Sequence, residues 1–249
     1  MARSLLGAVR FSGDYGSWEE AAGKCNGYSA DAILERVSRA ASIVKRGEGA
    51  YEQDGRVFES REYVWPVLAN LLWIAGQRQQ SLHVLDFGGS LGSTYYRHLP
   101  CLRRLRDLKW SVVEQPNFVR EGQLHFQDER LRFFEDIASC VAWSRPDVVL
   151  LSGVIQYLPH PHRFLADLRE HALDFLLFDR TPFIERERDR LCLQQVGAAN
   201  YPASYPAWFF SREAFLASFG QAYRLLEEFG SEDHANIPSE YGGLLLERL

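Results

Sequence analysis

Leu82-His83-Val84-Leu85-Asp86-Phe87-Gly88-Gly89-Ser90-Leu91-Gly92 is the stretch on which the fold turns. Leu82, Val84 and Leu85 suit a parallel strand covered on both faces, because such strands read as apolar runs. The run ends in an acid, and Gly88, Gly89 and Gly92 let the chain turn sharply before the residues after Gly92 open a helix. Strand, glycine turn and helix in that order begin an open α/β sheet, whose ligands bind beyond the carboxyl ends of the strands. A dinucleotide fingerprint G-x-G-x-x-G ending at Gly92 needs a glycine at position 87, where the chain has Phe87. Two readings stay open at this point: a cofactor turn of another kind, or a tight strand-to-helix turn and nothing more.

Composition narrows the classes. The 249 residues suffice for one main domain with a sizeable core, and a net charge of -5 without a basic run argues against a nucleic-acid footprint. Cys25, Cys101, Cys140 and Cys192 are scattered without a C-x-x-C pair, which fits reduced thiols in a cytoplasm and implies no metal. The apolar stretch at residues 5–9 is too short for a secretory signal, and the one at 67–75 contains Asn70, so a soluble, cytoplasmic chain without integral membrane contact is expected.

Working outward, residues 1–76 read as an N-terminal helical and loop cap and residues 77–249 as the domain it packs on. The cap holds Phe11, Tyr15 and Trp18 in loops and a helix over 31–45 with Ser29 or Asp31 as its cap. A polar and aromatic loop over 51–58 precedes a helix over 63–76 whose Pro66 must sit in the first turn. Strands are expected at 82–85, 110–114, 131–137, 146–152 and 174–178, with helices at 94–108, 117–121 and 164–173 between them. The mixed-charge run 184–191 reads as a solvated face, and 201–210 as an aromatic loop, with Tyr201, stiffened by two prolines. A capped helix at 211–219 and strands at 223–229 and 243–247 close the chain. Glu114 ends the second strand 22 residues beyond Gly92, near the roughly 20-residue offset at which nucleotide-binding α/β folds place an acid on ribose hydroxyls. The plainer alternative is a solvated strand-end glutamate.

Read as Asp-x-Gly-x-x-x-Gly, Asp86, Gly88 and Gly92 resemble the first motif of class I S-adenosylmethionine-dependent methyltransferases, with Ser90 where those enzymes have a middle glycine. Further segments carry the likeness: Tyr51-Glu52-Gln53-Asp54-Gly55, Trp110-Ser111-Val112-Val113-Glu114-Gln115, Ser152-Gly153-Val154-Ile155-Gln156-Tyr157-Leu158, Asp179-Arg180-Thr181-Pro182-Phe183 and Ala203-Ser204-Tyr205-Pro206-Ala207-Trp208. Together they resemble a bacterial family of such methyltransferases associated with surface-polysaccharide or O-antigen gene clusters. The resemblance implies a Rossmann-like class I fold: a mostly parallel seven-stranded sheet, helices on both faces, and an N-terminal helical cap. It also implies methyl transfer from S-adenosylmethionine to an acceptor that the motifs leave open.

Under that reading Asp86, Gly88, Gly89, Ser90 and Gly92 surround the methionine part, with Asp86 as negative charge near a cationic ligand. Glu114 and Gln115 take the ribose, Asp136 and Ile137 at the end of the third strand the adenine, and Ser152 and Gln156 the sulfonium side. Transfer of a methyl to oxygen is helped by a base, and the candidates are Asp179, His160 and Tyr157; Asp179 in an ion pair with Arg180 and His160 as an exposed loop residue are the structural alternatives. Tyr51, Asp54, Arg180, Tyr205 and Trp208 are the expected acceptor roof, suited to a small-molecule or carrier-linked saccharide whose apolar faces stack on rings, with O-methylation the expected reaction and N-methylation of an amino sugar the alternative. No metal is expected from His160, His162 and Asp179. A non-catalytic cofactor-binding protein and an NAD(P)-dependent oxidoreductase are the competing functions.

Overall fold

The structure is a computed structural model that describes residues 9–25, 30–196 and 203–249. It begins with β1 (Arg10–Tyr15), α1 (Trp18–Ala22), α2 (Ala30–Lys45), β2 (Tyr51–Gln53), β3 (Arg56–Phe58) and α3 (Trp65–Gln77). Next come β4 (Ser81–Phe87), α4 (Ser93–Leu102), β5 (Asp107–Val113), α5 (Pro116–His125), β6 (Leu131–Phe134), α6 (Ile137–Trp143) and β7 (Val148–Ser152). A 3₁₀ turn (Ile155–Tyr157) precedes α7 (Pro161–Glu170), and the chain ends with β8 (Phe175–Ile184), β9 (Arg190–Val196), β10 (Ala203–Ser211), α8 (Arg212–Ala217), β11 (Tyr223–Gly230) and β12 (Glu240–Arg248).

Seven strands run in the order β6-β5-β4-β7-β8-β12-β11. The first five are parallel, β12 is antiparallel to β8, and β11 is antiparallel to β12. Burial follows the pleat. Val148, Leu150, Phe175 and Leu177 join the core under α2 to α5, while Val149, Leu151, Leu176 and Phe178 join the core under α6 to α8. That two-sided burial is why the strands read as unbroken apolar runs. The sheet fixes the site, because the carboxyl ends of β4, β5, β7 and β8 all open on one edge.

Several boundaries differ from the sequence reading, each for a local reason. The helix expected over 94–108 stops at Leu102, and Asp107 and Leu108 already pair with Ser81 and Leu82 in β5. The third strand stops at Phe134 because Asp136 caps α6, accepting from the Ser139 backbone N–H at 2.7 Å and its hydroxyl at 2.9 Å. The loop expected over 51–58 is a hairpin, β2 against β3, with Tyr51 stacked on Phe58. The aromatic, proline-containing segment is a strand. β10 pairs with β9 along its length but meets β8 only at Phe210 and Ser211, so Pro206 occupies an edge where a missing N–H costs little. Tyr201 and Ser29 lie outside the described residues.

The described residues before 77 share the domain's core and extend its sheet. Val37, Val67, Leu71 and Ile74 pack in the same cluster as Val84 and Trp110. β1 pairs antiparallel with β9, and Asn236 in the β11–β12 loop bonds both the N–H and the carbonyl of Phe11, at 2.7 and 2.9 Å. The charged run supplies exposed residues 185–188 between β8 and β9, where Arg188 reaches Asp14 at 3.1 Å.

Candidate active site

β4 delivers Asp86 to the sheet edge, yet its carboxylate does not face open space. Asp86 is 1% exposed, accepts from Trp110 Nε1 at 3.1 Å, and lies beneath the glycine turn. Burial pushes its carboxyl up to about 7 despite the Trp110 bond, and Glu114 adds to the rise. The sequence expectation of an acid bordering a ligand is thus refined: the carboxylate underpins the turn. A Cβ on Gly89 would fall 2.5 Å from that carboxylate, and one on Gly88, whose φ is +72°, would fall 2.4 Å from Val154 Cγ2. Backbone therefore forms the surface of the turn, which Ser90 continues with φ +56° and Gly92 closes with φ +90° as the cap of α4.

Glu114 meets the same turn from β5. Its Oε2 accepts from the Gln115 N–H at 2.6 Å, and the Ser90 N–H also lowers its carboxyl, while burial raises it to a net upward shift. Asp86, Gly88, Gly89, Ser90, Glu114 and Gln115 are thereby brought together. Asp136 is exposed and its carboxylate is committed to the N-terminus of α6, with half-buried Ile137 as the first helical residue. Phe87, at the position where a dinucleotide turn needs glycine, packs its ring 4.5 Å from that of Phe164.

A second group forms at the ends of β7 and β8. Ser152 donates to Asp179 Oδ2 at 2.6 Å, and Asp179 is buried, which pushes its carboxyl up against the lowering effects of Ser152 and Arg180. Arg180 does not pair with Asp179. Its Nε and NH2 reach Asp233 at 2.9 and 3.4 Å, and its backbone is left-handed, φ +54°, a conformation in which a non-glycine residue is held by its surroundings. Gln156 Nε2 donates to the Arg180 carbonyl at 3.3 Å. Tyr157 donates to Gln194 Oε1 and Gln194 Nε2 donates to the Tyr205 hydroxyl, both at 2.9 Å, while Trp208 Nε1 donates to the Leu158 carbonyl at 3.1 Å. Val154 against Gly88 joins the two groups.

His160 stands apart. It is exposed at the start of α7 and its side chain makes no capping bond, whereas His162 pairs with Asp189, whose other oxygen holds the Ser211 N–H at 2.8 Å. Among the described residues no group of three His, Cys, Asp or Glu side chains is placed to hold a metal ion.

The hairpin β2–β3 packs against α2 and the start of α4. Glu52 is buried and accepts from the Ser93 hydroxyl in the first turn of α4 and from the Gly55 N–H at 3.1 Å; burial raises its carboxyl to about 7. The Arg97 guanidinium lies 4.2 Å over the Tyr51 ring. At the hairpin turn Asp54, φ +53°, acts electrostatically on both Arg180 and Tyr157, so the hairpin is anchored at the start of α4 and extends toward the ends of β7 and β8. Glu52, Gln194 and Asp233 are site residues that the sequence reading did not single out. Glu52 sits inside the quoted Tyr51-to-Gly55 segment, and Gln194 is a polar residue next to the apolar run 191–193; Asp233 carries no such signal.

No family model and no curated protein matches this sequence. Solved structures do match the fold. A glycopeptide N-methyltransferase complexed with S-adenosyl-L-methionine shares 12% identity, over 73% of this chain and 94% of that one, with a TM-score of 0.50. Magnesium protoporphyrin IX methyltransferase from Synechocystis, with bound S-adenosylmethionine, shares 14% identity over 90% of this chain and 100% of that one, also with a TM-score of 0.50. At such identities the likeness is one of architecture: the chain has the Rossmann-like class I methyltransferase fold. No helix among the described residues is long and apolar enough to cross a membrane.

Proposed function

We propose that this chain is an S-adenosylmethionine-dependent methyltransferase whose acceptor is a saccharide or similar small polyol, nucleotide- or carrier-linked, in surface glycan synthesis. The observation that carries the cofactor assignment is the union of the glycine turn with Glu114. At Gly88 and Gly89 the turn has room for backbone alone on the protein side, and Glu114 is held against Ser90 and Gln115 at the end of the adjacent strand. The cradle fits an adenosyl cofactor: backbone approaches the methionine portion, and the Glu114 carboxylate offers oxygens to a ribose diol. Phe87 argues against a dinucleotide in the same place.

When bound, S-adenosylmethionine supplies a methyl carbon already activated by its sulfonium, so the protein's work is to orient an acceptor, exclude water and receive a proton. In this reading Ser152 and Gln156, at the end of β7, line the methyl-transfer side, and Asp179, which accepts from the Ser152 hydroxyl, takes the proton. Asp54, Arg180, Tyr157 and Tyr205 offer fixed polar groups and ring faces to a sugar. The likeness of the motifs to a family associated with surface polysaccharides supports the glycan assignment.

Calorimetry tests the cofactor. The protein is expected to bind S-adenosylmethionine and S-adenosylhomocysteine but neither NAD nor NADP, and Glu114→Ala to weaken binding by about 1–3 kcal/mol, the cost of unpaired polar groups. Equal affinity of wild type and variant refutes the ribose role of Glu114, and binding of NAD alone refutes the assignment. Incubation with labelled S-adenosylmethionine and a panel of nucleotide sugars, lipid-linked glycans, small acids and peptides tests the acceptor; label confined to acids or peptides overturns it.

A further inference from the structure

At the acceptor end of the crevice several fixed donors are engaged within the protein. The Arg180 guanidinium is held by Asp233 through Nε and Nη2, and Ser231 Oγ holds Asp233 in turn at 2.7 Å. The Ser152 hydroxyl is spent on Asp179, and the Tyr157 proton on Gln194. Arg97, the other cation acting on Asp179, is tied to the hairpin by the Tyr51 ring, Gln53 and the Glu62 carbonyl. Carboxylates and an orphaned acceptor gather at the same place. Asp54, Asp179 and Asp233 all act on the one guanidinium of Arg180. Gln156, only 4% exposed, has its Nε2 on the Arg180 carbonyl while its Oε1 is buried with no hydrogen-bond partner among the described residues. A buried amide oxygen without a donor is costly, and a ligand that brings the donor relieves it.

We infer that the reacting group of the acceptor is an amine, so that the enzyme methylates nitrogen on an amino sugar or an amine of similar size. This rests on the methyl-transfer reading above. An ammonium brings three donors and a positive charge to a wall of acceptors and carboxylates; a hydroxyl brings one donor and no charge; a carboxylate or phosphate brings neither. The step balances without a further reactant. The ammonium gives one proton to the Asp179 carboxylate, and the freed nitrogen lone pair forms the N–C bond as the C–S bond breaks with its electrons going to sulfur. The sulfonium's positive charge passes to the methylated nitrogen, and S-adenosylhomocysteine leaves as a neutral thioether.

The test uses the full chain saturated with S-adenosylhomocysteine and titrated with glucosamine, N-acetylglucosamine and glucose. These probes share a ring and differ in whether the nitrogen is charged, masked or absent. Glucosamine is expected to bind about tenfold or more tightly than the other two, and Asp54→Asn, at an exposed turn where asparagine keeps the left-handed backbone, is expected to shrink that preference several-fold. Equal or weaker binding of glucosamine, or a preference untouched by both Asp54→Asn and Asp179→Asn, overturns the inference. Binding of S-adenosylhomocysteine is measured first. If it binds and the amine preference is missing, the amine inference falls alone; if it does not bind, the methyl-transfer reading falls with it.

Discussion

Gly89→Ala isolates what the glycine turn requires. The φ of Gly89 lies outside the left-handed region, so alanine meets no backbone penalty there and any cost comes from contact. The new methyl carbon would lie 2.5 Å from Cγ and Oδ2 of Asp86 and 2.9 Å from Oδ1, about 1 Å inside the roughly 3.5 Å at which carbon contacts become favourable. Asp86 cannot swing aside freely, because it is buried and holds the indole N–H of fully buried Trp110 at 3.1 Å. Overpacking costs about 1–3 kcal/mol and an unpaired buried donor about 1–3 kcal/mol more, for roughly 2–6 kcal/mol against the 5–15 kcal/mol that usually holds a domain together. Urea unfolding followed by tryptophan fluorescence measures it, with Gly76→Ala as control: that helical position has nothing within 4 Å, and alanine is expected to stabilise by up to about 1 kcal/mol. In an Asp86→Ala background the cost of Gly89→Ala should shrink by more than about 1 kcal/mol, since the clashing carboxylate is gone. A Gly89→Ala protein within about 0.5 kcal/mol of wild type, or costs that add without coupling, would refute the steric account.

Two further outcomes follow from buried ionisable groups. His98 is fully buried with neither ring nitrogen partnered among the described residues, and burial lowers its pKa to about 3 from 6.5, so the unfolded chain binds more protons between those values and stability falls as pH drops below 6.5. At pH 5 the loss from this group is about 2 kcal/mol, and His98→Leu should remove it, which thermal melts at pH 7 and pH 5 will show or deny. Glu52 has the opposite sign: its carboxyl is raised from 4.5 to about 7, so the folded chain binds more protons in that window and stability falls as pH rises through it. Glu52→Gln should therefore gain on wild type by up to about 3 kcal/mol between pH 5 and pH 8, and a difference constant over that range would contradict the burial argument.

The sequence by itself determined the sheet and the turn. Leu82 to Gly92, the apolar runs of β7 and β8 and the acid at Glu114 are local signals, because a strand buried on both faces must be apolar throughout and a backbone that turns this tightly against Asp86 and Val154 must be glycine. Local signals also misled, and in a consistent way. Tyr51 to Phe58 and the Tyr205-Pro206 stretch look like loops because glycine, proline and polar residues are turn signals, whereas what makes them strands is pairing and docking: β10 lies along the preceding strand β9, and the β2–β3 hairpin is held by Ser93 and Arg97 of α4, about forty residues further on. Asp136 looked like the end of a strand because an acid before an apolar stretch serves equally as a helix cap. Tertiary structure alone decided who partners whom. Arg180 stands beside Asp179 in sequence, but alternation along a strand turns neighbours to opposite faces, and its left-handed backbone aims it at Asp233, 53 residues away. Gln194 became a link between Tyr157 and Tyr205, and Glu52 the anchor of the hairpin, only when strands remote in sequence were laid against one crevice, since a polar side chain acquires its role from the groups that burial places around it.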